Sequence, residues 1–280
     1  MQSSGIISLA IILANCLVSY RGFKDQMFYD RYSFKVDNIL LYKDYKRIAT
    51  SGFLHVNWMH LIFNMIALYF FSSGLENFLG PVNFLIIYFF GLVGGNGLSL
   101  LLHKSDGGYS SVGASGAIAG VIFSTIALFP GMSLGILFLP ISIPGWLFGL
   151  IYILYSIYGI RSNKDNIGHD AHLGGALVGM AVGLLMHPSA LAANYPTILI
   201  ISLPAILFII LIINKPSLLL INNLFYKRRR QINVEDRYNL RKKARQQTVD
   251  DILEKIHKKG IASLTRKEKI MLEEYSKQTL

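Results

Sequence analysis

The sequence predicts an all-α polytopic membrane protein, a bundle of apolar helices. Three observations carry it. Hydrophobic residues make up 52% of the 280 positions, more than an ordinary soluble domain carries. Apolar runs close to the roughly 20 residues needed to cross a hydrocarbon core recur along the chain. Charge is pushed to one end: from Lys227 onward lie 16 of the 27 Lys and Arg and 8 of the 16 Asp and Glu.

Taken in order, the expected spans are Ser4–Tyr20, Phe53–Phe71, Pro81–Leu102, Val112–Phe129, Leu134–Tyr158, Ala171–Met186 and Pro196–Ile213. The first lacks a charged leader and a small-residue cleavage site, so it is read as an anchored helix rather than a signal peptide. Between the first two spans, Arg21 to Thr50 mixes Phe23, Phe28, Tyr29, Tyr32, Phe34, Tyr42 and Tyr45 with charged residues. Amphipathic aromatics favour the membrane–water interface, which predicts an ordered interfacial loop. Pro204 in the seventh span predicts a kink of the kind membrane helices tolerate. The lone Cys16 excludes an internal disulfide and a CxxC metal site.

Polar residues within such spans are costly and need partners. Ser115 stands in Gly113-Ala114-Ser115-Gly116 at the mouth of an uncharged segment. His172, Gly175, Gly179 and Gly183 recur at helical spacing on the sixth span, and Gly116 and Gly120 form a matching small-xxx-small pair. Small faces let two helix backbones approach closely. That approach would bring the Ser115 hydroxyl to the His172 imidazole, the minimum activated nucleophile. On its own, Gly-Ala-Ser-Gly reads rather as a packing motif whose serine bonds its own backbone. His60 and Asn64, at i and i+4, share a helix face and suit either an oxyanion hole or an interhelical clamp. Glu76 is expected to organise a loop where the second span ends, Arg47 to order the interfacial loop, and His169 to sit at the interface. A metal site of His60, His169 and His172 is the competing reading, weakened by the lack of an H-E-x-x-H pattern and of a carboxylate at ligand spacing.

Ser110–Gly120, the His60-Leu61-Ile62-Phe63-Asn64 spacing and Ala171-His172-Leu173-Gly174-Gly175 together resemble the rhomboid intramembrane serine proteases, as do Arg47 ahead of Thr50–His55 and Glu76 in Gly74-Leu75-Glu76. The resemblance, to the bacterial type, covers about two-thirds of the chain. It implies a six-helix core over 1–190, a catalytic Ser115–His172 dyad without a third carboxylate, and an oxyanion site of His60, Asn64 and the Ser115 amide. It implies no cofactor and no metal. Its substrates would be transmembrane helices of other proteins, cut in a cavity sunk into the bilayer. A proteolytically weak or inactive relative that binds or chaperones membrane proteins is the alternative. Four residues after the serine, many members carry an aromatic against the histidine; here that residue is Ala119, with Phe123 one turn on, so His172 is expected to be supported differently.

Beyond the core, 191–226 is read as an additional transmembrane helix and 227–280 as a basic tail. The tail opens with Lys227-Arg228-Arg229-Arg230, a stop at an anionic membrane surface. Helix caps at Thr248 and Thr265 and a C-cap at Gly260 predict a small helical hairpin. Its expected partners are anionic lipid or another protein, not nucleic acid. The expected location is the cell membrane, as a multi-pass protein. Two arguments disagree on its orientation. Ten Lys and Arg, from Arg21 to Lys164, fall in loops on the side of the serine mouth and none in the opposite loops, so the positive-inside rule turns the mouth to the cytoplasm; the family resemblance implies the extracytoplasmic side.

Overall fold

A computed structural model describes residues 5–135, 142–162, 165, 167–214, 248–257 and 260–279. The chain is a multi-pass membrane protein built as an all-α bundle. Its main helices are α1 (Ile6–Lys24), α5 (Trp58–Leu79), α6 (Pro81–His103), α7 (Ser115–Leu128), α8 (Gly145–Ser162), α9 (His169–Met186) and α10 (Ser189–Asn214). Of these, α1, α5, α6 and α10 are long and apolar enough to cross a bilayer on their own. Three short helices, α2 (Gln26–Tyr32), α3 (Val36–Tyr42) and α4 (Arg47–Thr50), order the interfacial segment.

Several element boundaries differ from the sequence expectation, each for a local reason. The second span starts at Trp58 rather than Phe53, because the Asn57 side chain accepts from His60 N at 2.8 Å and caps the helix there. It runs on to Leu79 and stops at Gly80, whose φ is +84°. Glu76 therefore lies inside the helix rather than at its end. Its two carboxylate oxygens accept from Ile7 N and Ser8 N, both at 2.9 Å, capping the N-terminus of α1, where the helix dipole favours negative charge.

The fourth span shortens from Val112–Phe129 to 14 residues. A helix of that length rises about 21 Å, less than the roughly 30 Å of a hydrocarbon core. The fifth expected span, Leu134–Tyr158, is not one helix. Two strands, β3 (Ser133–Gly135) and β4 (Ser142–Pro144), pair antiparallel ahead of α8. Pro144, the last residue of β4, fits a helix that begins only at Gly145, since proline in a helix interior removes a hydrogen bond and clashes with the preceding turn. The seventh helix starts before Pro196, at Ser189, and contains Pro196 and Pro204 with a break in helical geometry at Asn194.

The core is organised around α7. Every residue from Gly116 to Leu128 is buried, because α5, α6, α8, α9 and α10 all pack against it. Its closest neighbours are α6 and α9, and glycine explains the closeness. A Cβ at Gly120 would stand 3.0 Å from the Gly175 carbonyl oxygen and 3.1 Å from Gly91 Cα. One at Gly175 would collide with the Gly116 backbone, and one at Gly95 with the Ala171 carbonyl. Ser124 Oγ donates to the Gly179 carbonyl at 2.6 Å farther along the same seam.

The chain divides into two compact units, Met1–Phe225 and Tyr226–Leu280. The second contains α11 (248–257) and α12 (Arg266–Thr279), with Val249, Ile252 and Leu264 buried. Gly260 takes φ +76° and its N–H donates to the Ile256 carbonyl, ending α11. Thr265 and Glu268 form a reciprocal cap on α12, and Lys255 reaches both Glu268 oxygens at 2.8 and 2.9 Å. The basic run Lys227–Arg230 lies outside the described residues.

Candidate active site

Ser115 is the first residue of α7, where the leading backbone N–H groups have no partner within the helix and the dipole is positive. The turn before it depends on Gly113, whose φ of +138° suits glycine alone. A Cβ there would also stand 2.9 Å from His60 Cε1. Gly113 N donates to the Ser51 carbonyl at 3.1 Å. Just upstream, β2 (Ser110–Ser111) pairs antiparallel with β1 (Phe34–Lys35), tying the approach to the serine to the interfacial segment. No periodicity signals strands two residues long.

His172 lies on the first turn of α9. Its Nε2 is 2.7 Å from Ser115 Oγ. The glycine seam between α7 and α9 makes this meeting possible, as the helices' small faces suggested. On the ring's other side is Tyr152 of α8, with centroids 5.9 Å apart, and Phe123 packs edge-on against Tyr152 at 5.4 Å. The aromatic absent at Ala119 is thus supplied from a different helix. Nothing in the sequence separates Tyr152 from the other aromatics of that apolar run.

His60 and Asn64 share a face of α5, as their spacing required. The Cε1–Nε2 edge of His60 lies against Gly113, beside Ser115. Asn64 is buried, and its Nδ2 donates to the His60 carbonyl at 2.9 Å; an amide nitrogen carries a second hydrogen that this bond does not use. Ser115, His172 and His60 therefore lie together, and Asn64 stands one turn along α5 from His60.

His169, the first residue of α9, is buried, with its Nε2 3.2 Å from Asp165 Oδ2 and its ring edge-on to Tyr155 at 5.0 Å. Arg47 orders the interfacial segment as read: it is buried, and donates to the Asp30 and Ser33 carbonyls at 2.8 and 2.7 Å and to Asp44 at 2.8 Å.

Two supporting networks were not legible beforehand. Asn96 of α6 donates to the Ile48 carbonyl at 2.7 Å and to Ser51 Oγ at 3.1 Å, fixing the segment that anchors Gly113. Asp170, two residues before His172, accepts from His103 Nε2 at 3.1 Å and from the Tyr109 hydroxyl at 3.3 Å. The His103 and Tyr109 rings stack with centroids 3.6 Å apart. Burial, with the Asp170 charge behind it, pushes the Tyr109 phenol upward, so it remains a donor.

The Rhomboid domain family matches residues 42–189, and a family of unknown function (DUF6576) matches residues 232–278. The chain is 31% identical over 188 residues to RHOMBOID-like protein 12, mitochondrial, of Arabidopsis thaliana, covering 62% of this chain and 55% of that protein. It is 32% identical over 153 residues to Rhomboid protein 1, mitochondrial, of Saccharomyces cerevisiae, covering 52% and 44%. Against human Presenilin-associated rhomboid-like protein, mitochondrial, it is 35% identical over 136 residues, covering 46% and 35%. The chain spans roughly a third to a half of the length of these relatives.

Proposed function

The chain belongs to the rhomboid family, and on that premise we propose that it is an intramembrane serine endopeptidase acting on transmembrane-helix substrates. The family is in general one of serine intramembrane proteases. The observation that carries the reading here is the 2.7 Å contact between Ser115 Oγ and His172 Nε2, at the N-terminal end of a 14-residue helix.

In the proposed reaction, His172 Nε2 takes the Ser115 proton as Oγ attacks the scissile carbonyl. The carbonyl oxygen becomes an oxyanion, met by the Ser115 backbone N–H, by His60 Nε2–H and by the free hydrogen of Asn64 Nδ2. His172 then returns the proton to the leaving amine, and a water molecule, deprotonated by the same ring, hydrolyses the acyl-enzyme. Tyr152 packs beside the ring that performs both transfers.

The test is cleavage of a transmembrane substrate by the purified protein in vesicles. Ser115→Ala, His172→Ala and the double variant are expected to fall to about the same floor, because residues that act as one unit are strongly non-additive. A fluorophosphonate is expected to label Ser115 in the wild type and not in His172→Ala. Full cleavage by Ser115→Ala would overturn the mechanism. Client binding without cleavage by the wild type would favour the chaperone-like alternative.

The membrane is proposed to be the cell membrane, with the mouth opening to the extracytoplasmic side despite the basic mouth-side loops. A periplasmic-type reporter fused after Leu280 is then expected to be active; an active cytoplasmic-type reporter, together with cytoplasmic labelling of a cysteine placed at Ser105, would invert the body.

A further inference from the structure

Two nitrogen atoms beside the proposed oxyanion site have no accounted partner. His55 Nε2 and His60 Nδ1 are both buried without a hydrogen bond, and their rings meet edge to face with centroids 4.9 Å apart. Burying a polar atom unpaired is costly, so a pair of them in adjacent rings calls for an explanation.

Hydrogen bookkeeping supplies one, starting from α1. Ser19 Oγ lies 2.9 Å from the Phe53 carbonyl oxygen and 2.8 Å from His55 Nδ1. A hydroxyl has one hydrogen to donate. The carbonyl can only accept, so the Ser19 hydrogen goes to Phe53, and His55 Nδ1 must donate to the Ser19 oxygen. In the neutral ring favoured by complete burial, His55 Nε2 is then a bare acceptor.

His60 has two possible tautomers. With hydrogen on Nδ1, it could donate directly to His55 Nε2, but its Nε2, the edge beside Gly113 and Ser115, would be an acceptor and could not hold an oxyanion. The structure makes no such direct bond. With hydrogen on Nε2, both orphan atoms are acceptors, and one water molecule, which has two hydrogens, satisfies both at once.

We propose that His55, set by Ser19, is a positioning residue that holds His60 in its Nε2–H tautomer through such a bridging water, so that His60 presents a donor to the oxyanion. This rests on the protease reading above. It makes α1, a helix with no atom in the reacting group, part of what defines the oxyanion site.

The experiment compares His55→Phe, which keeps a ring and removes both nitrogens, in the wild-type and His60→Gln backgrounds. Glutamine places an amide donor near the position of Nε2 and has no tautomer to choose. In the wild-type background His55→Phe is expected to lower kcat roughly 10²-fold, the scale of one lost oxyanion donor, with KM little changed. In the His60→Gln background the same change should shift kcat by no more than about twofold. Equal losses in both backgrounds would mean a merely structural role and overturn the proposal, as would an unchanged kcat in the first. A second measurement reads the tautomer directly. Nitrogen-15 spectra of histidine-labelled wild type in vesicles are expected to show His60 protonated at Nε2, and an Nδ1–H ring would overturn the proposal even if the variants fail to fold. A wild type that cleaves nothing would defeat the protease reading, whereas the tautomer measurement judges the His55–His60 relation by itself.

Discussion

On one flank of the candidate site, α6, α7 and α9 meet one another through Gly91, Gly95, Gly116, Gly120, Gly175 and Gly179, with backbone against backbone. On the other flank, α5 carries His60 and Asn64 and is joined to α1 by polar side chains: Glu76 at the α1 N-terminus and Ser19 with His55 near its other end. The first interface is specified by the absence of side chains, the second by a few hydrogen bonds. In a bilayer both are reasonable, because apolar surface gains little by leaving lipid and association depends on close packing and polar pairing. They should fail differently. A packed seam has no tolerance for volume, whereas a hydrogen-bonded flank loses stability bond by bond.

The largest expected effect breaks the seam. Gly175→Val places branched carbons on the Gly116 backbone, which cannot swing aside as a side chain would. Overpacking ordinarily costs about 1–3 kcal/mol, and here the cost should exceed that range. Loss of both fluorophosphonate labelling and cooperative thermal unfolding in detergent is expected, and a labelled, folded Gly175→Val protein would mean the seam is looser than described.

Asn64→Ala sharpens the contrast from the other flank. It removes an amide without disturbing the seam, so the protein should stay folded while kcat falls by roughly 10²–10³, the scale of a lost oxyanion donor. An unchanged kcat in a substrate-cleavage assay would return His60 and Asn64 to a structural clamp.

The smallest effect is expected at Glu76→Gln, remote from the chemistry. One amide oxygen can still accept from α1, but the charged acceptor of two N–H groups is gone. Hydrogen bonds to charged groups contribute about 1.5–3 kcal/mol, so a loss of about 2 kcal/mol in thermal unfolding is expected, with kcat little changed. A much larger loss of activity than of stability would show that α1 bears on catalysis through this end as well.

Much of the candidate site was legible because it is written in spacing. Gly175, Gly179 and Gly183 follow His172 at helical intervals, and His60 and Asn64 are one turn apart, so each pair's relation is local. Tyr152, Ser19 and Asn96 were not legible, since each is an ordinary residue of an apolar or interfacial run whose role appears only when a distant element arrives beside it. Apolar content predicts one span over Leu134–Tyr158 because it is blind to what Pro144 forbids. Glu76 reads as a structural carboxylate in the sequence, but its partner, the N-terminus of a helix some 70 residues earlier, does not.

What the sequence by itself determined is the class of fold, the helices that carry Ser115 and His172, and the faces on which they meet, because helix periodicity and the cost of polar groups in lipid act locally. Only the tertiary structure decided that α7 is too short to span, which aromatic stands beside His172, and how Ser19 and His55 set the surroundings of His60. Those outcomes depend on contacts between residues far apart in the chain, and the energy of such contacts exists only once the helices have packed.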